Sequence, residues 1–126
     1  MRLFYSRGAC SLASHIALEE AGADYEAIRV DLRASEQTRP EFLALNPKGR
    51  VPALVTSQGV LTETPAILIY VAQTHPAASL APLSDSFALA RLQAFNSYLC
   101  STVHPAFSHS RRGNRWADEQ GSLADM

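Results

Sequence analysis

The sequence has only two cysteines among its 126 residues, Cys10 and Cys100. Two thiols so far apart in the chain cannot form the disulfide framework of a small secreted domain, and their spacing matches no zinc-site pattern. Long apolar runs are also missing, since nothing approaches the ~18 residues of a membrane span and the N-terminus has no signal-peptide core. We therefore expect a cytoplasmic protein with no membrane association and no bound metal.

An excess of charge of either sign is likewise lacking. Eleven basic and twelve acidic residues leave a formal net charge of −1, which gives no general attraction for a polyphosphate, so we expect no nucleic-acid partner. The composition, 47% hydrophobic and 18% charged, is that of a globular protein. The length suits one ordinary domain, or one small domain with part of a second.

Hydrophobic periodicity and turn residues predict an α/β domain in the first part of the chain. The predicted order is strand, helix, strand, short helix, then a hairpin and a helix, which gives a small mixed sheet covered by helices. Strands are expected at 2–5, 25–31, 51–56 and 60–62. Helices are expected from 11 or 12 to 21, at 40–45 and, after a Thr64 N-cap, at 66–73.

A stretch with two prolines and small residues, 76–84, predicts a linker between domains 1–75 and 85–126. Beyond it, apolar residues at steps of three and four predict an amphipathic helix over 87–103, ended or kinked by Pro105. No second apolar stripe follows in the chain. Because an uncovered apolar stripe usually marks an interface, we expect a dimer.

Cys10 is the first candidate for chemistry. It follows the first strand and a Gly8-Ala9 turn and stands just ahead of a helix, where unpaired N–H groups favour a thiolate. The alternative is a small buried residue without chemistry. Ala13 occupies the position that a Cys-x-x-Cys motif would need, so any thiol chemistry must be monothiol.

Two hydroxyls, those of Tyr5 and Ser11, lie near the same strand end and could hydrogen-bond a ligand thiolate, although packing and capping are the simpler roles. Pro52 opens an otherwise good strand, which predicts an edge or an unusual backbone. A cis Val51-Pro52 bond would turn the Val51 backbone outward to pair with an extended peptide, although only about 5% of X-Pro bonds in folded proteins are cis.

Glu63 and Thr64 stand where a strand ends and a helix begins. Free N–H groups and the Thr64 hydroxyl would suit a carboxylate, and Glu63 would suit an ammonium. Together they could recognise an amino-acid head, and the alternative is a plain N-cap. His104 and His109 lack the spacing of metal ligands, which by itself favours surface or packing roles.

Three segments, Tyr5 to Leu12, Asn46 to Leu54 and Leu61 to Ile67, resemble the thioredoxin-like domain of cytosolic glutathione transferases, most of all the bacterial beta class. The resemblance covers Met1 to about Gln73 and continues more weakly over 96–107. It implies a thioredoxin-like βαβ-α-ββα domain followed by the start of an all-α domain. Members of this family normally continue through several more helices, so this chain is either a fragment or a short stand-alone form.

The resemblance also implies roles for single residues. Cys10 and His104 would lie near the glutathione sulfur, Val51 would pair with the cysteinyl backbone ahead of the cis-proline Pro52, and Glu63 with Thr64 would hold the γ-glutamyl end. Arg33 stands where the family has lysine. The implied catalytic residues are Cys10, Ser11, Tyr5 and His104, and the implied glutathione-binding residues are Arg33, Lys48, Arg50, Val51, Pro52, Glu63 and Thr64.

The resemblance thus predicts a homodimeric glutathione transferase with a role in detoxification. Its co-substrate would be glutathione, and its second substrate would be a small electrophile. Two alternatives stay open at this point. One is a monothiol glutathione-dependent disulfide reductase that uses Cys10. The other is a non-catalytic module for glutathione binding or dimerisation.

Overall fold

In the computed structural model, which describes residues 1–112 and Gly121, the first unit runs from Met1 to Ser86 and the second begins at Phe87. The order of elements predicted for the first unit is confirmed. Its strands are β1 (Arg2–Tyr5), β2 (Glu26–Arg29), β3 (Ala53–Thr56) and β4 (Gly59–Thr62), its helices are α1 (Ser11–Glu20), α2 (Pro40–Leu43) and α3 (Thr64–Thr74), and 3₁₀ turns lie at Glu36–Thr38 and Pro76–Ala78.

The four strands form one mixed sheet in the order β2-β1-β3-β4. β1 and β2 run parallel because α1 returns the chain between them, whereas β3 is antiparallel to both β1 and β4. The hairpin between β3 and β4 is closed by Thr56, whose hydroxyl donates to the Gly59 carbonyl at 3.0 Å and accepts the Gln58 N–H at 3.1 Å. The predicted crossover and hairpin are both present.

Two apolar clusters cover the two faces of the sheet, because neighbouring side chains of β1 point in opposite directions. Leu3 belongs to the cluster beneath α1 and α3, and Phe4 packs edge to face on Phe42 of α2 with ring centroids 5.9 Å apart. The buried members of the first cluster are Leu3, Ala17, Leu18, Leu54, Ile67 and Val71, and those of the second are Val30, Phe42 and Val51.

Helix α1 ends where the sequence predicts. Ala21 caps it, and Gly22 follows with φ +60, a left-handed conformation that glycine adopts at little cost. Its buried side is narrow and consists of small residues together with Leu18, whereas Leu12 and Ile16 are 54% and 52% exposed. The face of α1 with the larger side chains therefore points away from the sheet.

Beyond the first unit the chain is helical, but not as a single regular helix. Helix α4 (Ser86–Tyr98) passes through a π turn, Leu99–Val103, into helix α5 (His104–Arg112). Of the two outcomes expected at Pro105, an end or a kink, the end is wrong, because α5 continues past this residue. In the π turn the His104 N–H reaches back five residues to the Leu99 carbonyl. Proline has no N–H and crowds the carbonyl four residues earlier, and the wider turn accommodates it.

The predicted linker, 76–84, lies within the first unit, where Leu80 packs on the cluster beneath α1 and α3. Apart from Gly121, the part of the predicted 85–126 domain beyond Arg112 falls outside the described residues. No helix in the described part of the chain is both long and apolar enough to cross a membrane.

Candidate functional site

The loop from β1 to α1 is held by a pair of hydrogen bonds between two serines. The Ser11 hydroxyl accepts the Ser6 N–H at 3.1 Å and donates to the Ser6 carbonyl at 3.2 Å, and Ser11 is fully buried. Gly8 bends the loop with φ +69. The Ser11 hydroxyl is thus engaged within the protein, as the simpler packing role requires.

Cys10 lies at the end of this loop, exposed and unpaired with any other cysteine, at the N-cap position of α1. Its thiol donates to the Val51 carbonyl over 3.5 Å, so the first loop meets the residue before Pro52. The Val51–Pro52 peptide bond is cis. The structure therefore brings together three of the residues that the sequence assigns to one site.

Tyr5, the last residue of β1, belongs to a row of aromatic rings. Its ring lies 4.8 Å from that of His15, which in turn lies 5.8 Å from the ring of Tyr25, centroid to centroid. The Tyr25 hydroxyl donates to the Glu19 carboxylate. The pKa of Tyr25 is raised above its usual range, mainly by burial and next by this hydrogen bond. Packing against this row accounts for the Tyr5 ring.

The loop before Pro52 is built around Asn46, which is 1% exposed. Its side-chain nitrogen donates to the Arg50 carbonyl at 2.7 Å, and its side-chain oxygen accepts the Lys48 N–H at 3.2 Å. Gly49 has φ +59, and a Cβ there would lie 3.2 Å from the Gln37 carbonyl. The sequence alone assigned no role to Asn46, although an asparagine bonded to the backbone two residues on is a known turn signal.

Glu63 occupies the N-cap position of α3 with φ +70 and ψ 122, an unusual conformation for a residue with a side chain. Its carbonyl accepts the N–H of Ile67 at 3.1 Å, as the carbonyl of an N-cap residue does in the first hydrogen bond of a helix. Thr64 is already the first helical residue, so the prediction that its hydroxyl caps the helix is wrong. Because the cap position needs the non-helical backbone, it falls one residue earlier.

Lys48 joins the Asn46 loop to the start of α3. Its ammonium donates to the Thr62 hydroxyl at 2.9 Å and forms an ion pair with the Glu63 carboxylate. The sequence alone gives no signal for this contact, because the two charges are brought together only by the sheet. Lys48 and Glu63, both implied glutathione-binding residues, thus lie side by side.

Three further residues assigned from the sequence are Arg33, Arg50 and His104. Arg33 is exposed in a turn after β2. The backbone N–H groups of Arg33 and Ala34 donate to the Asp31 carboxylate. These hydrogen bonds, that of Arg33 most of all, lower the pKa of Asp31. Arg50 is exposed and contributes its carbonyl to the Asn46 loop. His104 belongs to the second unit, as the first residue of α5.

A resident metal has no evident site in this part of the molecule. Among the described residues, no three His, Cys, Asp or Glu side chains are grouped so that they could hold an ion. The site offers one thiol, one ion pair and the backbone groups at the starts of α1 and α3.

Comparison with known proteins identifies relatives over nearly the whole chain. Residues 1–73 match the family described as glutathione S-transferase, N-terminal domain. The glutathione S-transferase GstA of Escherichia coli O157:H7 is 39% identical over 110 residues, which are 86% of this chain and 55% of that protein.

Solved structures agree with this result. The crystal structure of a glutathione transferase homologue from Sulfitobacter with bound glutathione matches with a TM-score of 0.92 at 47% identity, over 98% of this chain and 60% of that one. A sphingomonad glutathione S-transferase complexed with glutathione matches with a TM-score of 0.81 at 45% identity, over 97% and 60%. The chain thus spans little more than half the length of these relatives.

Proposed function

The chain belongs to the glutathione S-transferase family, and from that premise we propose that it binds glutathione and activates the glutathione thiolate for conjugation to a small electrophile. The observation that carries the proposal is the contact between Cys10, at the start of α1, and the Val51 carbonyl at 3.5 Å. This contact puts a thiol and a helix N-terminus beside backbone that an extended peptide can pair with.

Glutathione would lie along this backbone as an extended tripeptide. Its cysteinyl residue would pair with Val51, which brings its sulfur to Cys10 and the free N–H groups that open α1. Its γ-glutamyl end would then reach the start of α3, where the Glu63 carboxylate suits the ammonium and Thr64 lies beside the unpaired N–H groups. Arg50 and Arg33 would supply positive charge around the glycyl end and the rim of the site, and Lys48 would lie with Glu63 at the γ-glutamyl end.

The start of α1 would favour the thiolate form of the bound glutathione, because its N–H groups and dipole stabilise negative charge. The thiol proton leaves to solvent, and the sulfur forms a bond to the electrophilic carbon as the leaving group departs with its electron pair. Cys10 and Tyr5 are the groups of the first unit assigned to assist at the sulfur.

The finer features of the family are proposals of the same kind. We assign the chain to the cytoplasm and to a detoxification role, and we expect it to form a homodimer. The dimer is supported by large apolar side chains of the second unit that are exposed, among them Phe95, which is 62% exposed, and Tyr98, which is 55% exposed.

Calorimetric titration with glutathione, run beside an assay of conjugation to a generic aromatic electrophile, tests the proposed function. We expect saturable binding and glutathione-dependent turnover. Binding without turnover would indicate that the protein is a non-catalytic glutathione-binding module. Absence of binding would contradict the proposal.

A second function, glutathione-dependent disulfide reduction, is favoured by one observation: the Cys10 thiol is exposed, so a mixed disulfide could reach it. In such a reaction the Cys10 thiolate would attack a disulfide sulfur and release the other half as a thiol. A glutathione thiolate would then attack the sulfur held by Cys10, which regenerates the Cys10 thiolate and releases a glutathione mixed disulfide. A second glutathione thiolate would attack the glutathione sulfur of that product, which releases the remaining half as a thiol and forms oxidised glutathione.

Replacing Cys10 by alanine separates the two functions. If Cys10 only assists at the glutathione sulfur, Cys10→Ala retains part of the conjugation rate, whereas a reductase loses disulfide exchange completely. Both rates are measured on the same preparations. The matched control is Cys100→Ala, which removes the thiol of the second unit and should leave both rates unchanged.

A further inference from the structure

Lys48 and Glu63 form an ion pair at the start of α3. Lys48 and Glu63 are half-exposed, their side chains being 47% and 64% accessible. Exposed ion pairs of this kind contribute little to stability, because water screens the attraction and two long side chains lose freedom. Both charged groups are thus accessible to a ligand from solvent.

Both charges are held in place. The Lys48 backbone is fixed by the buried Asn46 side chain through a 3.2 Å hydrogen bond, and its ammonium is fixed by the Thr62 hydroxyl at 2.9 Å. On the other side, the Glu63 backbone has φ +70 between the end of β4 and the start of α3. A positive and a negative group are thus presented side by side at the start of a helix.

A zwitterionic amino-acid head carries the same two charges on one carbon atom. Its ammonium suits the Glu63 carboxylate, and its carboxylate suits the Lys48 ammonium. A simple amine in the same place would keep the attraction to Glu63 and would meet only repulsion from Lys48. The pair consequently favours a head with both charges over a head with the ammonium alone.

We infer that Lys48 is a specificity-determining residue of this site: its ammonium attracts the α-carboxylate of the γ-glutamyl head while Glu63 takes the ammonium. The inference rests on the proposed glutathione site. It assigns to Lys48 a direct interaction with one named group of the ligand, in addition to the contact with Glu63 that orients the carboxylate.

The test compares two ligands by calorimetry. One is glutathione, and the other is its decarboxylated analogue, γ-aminobutyryl-cysteinyl-glycine, in which hydrogen replaces the α-carboxylate. The ratio of their dissociation constants measures the preference for the zwitterion, and any effect of Lys48 on Glu63 or on folding is common to both ligands and cancels. In Lys48→Met this preference should fall about three- to fivefold, as expected for one exposed charge pair.

Two further variants complete the experiment. Lys48→Arg keeps the cation and should keep the preference. Arg2→Met removes an exposed cation from β1, changes the net charge by the same amount, and should leave the ratio as in the wild type.

An unchanged ratio in Lys48→Met would overturn the inference while leaving glutathione binding, and with it the proposed function, intact. If the wild-type protein bound neither ligand, the proposed function would fail first and the inference with it.

Discussion

Replacing Glu63 by glutamine is expected to weaken glutathione binding about ten- to thirtyfold, with kcat nearly unchanged. Glutamine keeps the size of the side chain but removes the charge that would hold the ligand ammonium, and a hydrogen bond to a charged group contributes about 1.5–2 kcal/mol. In the proposed orientation the ammonium would lie far from the reacting sulfur, so the loss should affect ground state and transition state equally. Steady-state kinetics with varied glutathione measure both quantities.

The control for this variant is Glu26→Gln, which removes the charge of an exposed glutamate on the edge strand β2. It should bind glutathione as the wild type does. If Glu63→Gln bound glutathione within twofold of the wild type, the start of α3 would not be the site of the ammonium, and the orientation proposed for the tripeptide would be wrong.

Replacing Asn46 by alanine should destabilise the protein by about 2–3 kcal/mol. The change removes a buried side chain and leaves the Arg50 carbonyl and the Lys48 N–H without their partners at 2.7 Å and 3.2 Å. Both hydrogen bonds are partly buried. An unpaired buried polar group costs about 1–3 kcal/mol, and at these partly buried positions water recovers part of that cost. The midpoint of urea unfolding should fall accordingly.

Glutathione affinity should fall as well in the fraction of Asn46→Ala that remains folded, because the same loop carries Lys48 and Val51. Gln58→Ala is the matched control, since it removes an amide from the exposed hairpin turn, and its unfolding midpoint should stay that of the wild type. An Asn46→Ala protein as stable as this control would show that the loop does not depend on its buried asparagine.

Most elements of the first unit could be predicted because their signals are local. Glycine at 22 ends α1, proline at 40 begins α2, and alternating apolar residues mark the strands. The buried side of α1 is different. Leu12 and Ile16 are spaced four apart as a core pair would be, but the helix packs through Ser11, Ser14 and Ala17. Close packing against the sheet and α3 favours small side chains, and hydrophobicity alone does not detect this.

Two helix boundaries could not be predicted for related reasons. Thr64 has the residue type of an N-cap, but the unusual backbone of Glu63 moves the cap one position back. Pro105 has the residue type of a helix end, but a π turn lets the helical segment continue. At Thr64 a cap preference of about 1 kcal/mol was outweighed by the conformation of the neighbouring backbone. At Pro105 the steric clash of proline was relieved by the wider π turn.

The amino-acid order alone determined which segments become strands and helices in the first unit, and which residues are suited to a thiol site and an amino-acid site, because these properties depend on neighbours within one or two turns. Only the tertiary structure decided that Cys10 meets Val51 and that Lys48 meets Glu63. These contacts join parts of the chain that lie far apart in sequence, and the pairing of four strands in one sheet is what brings them within reach.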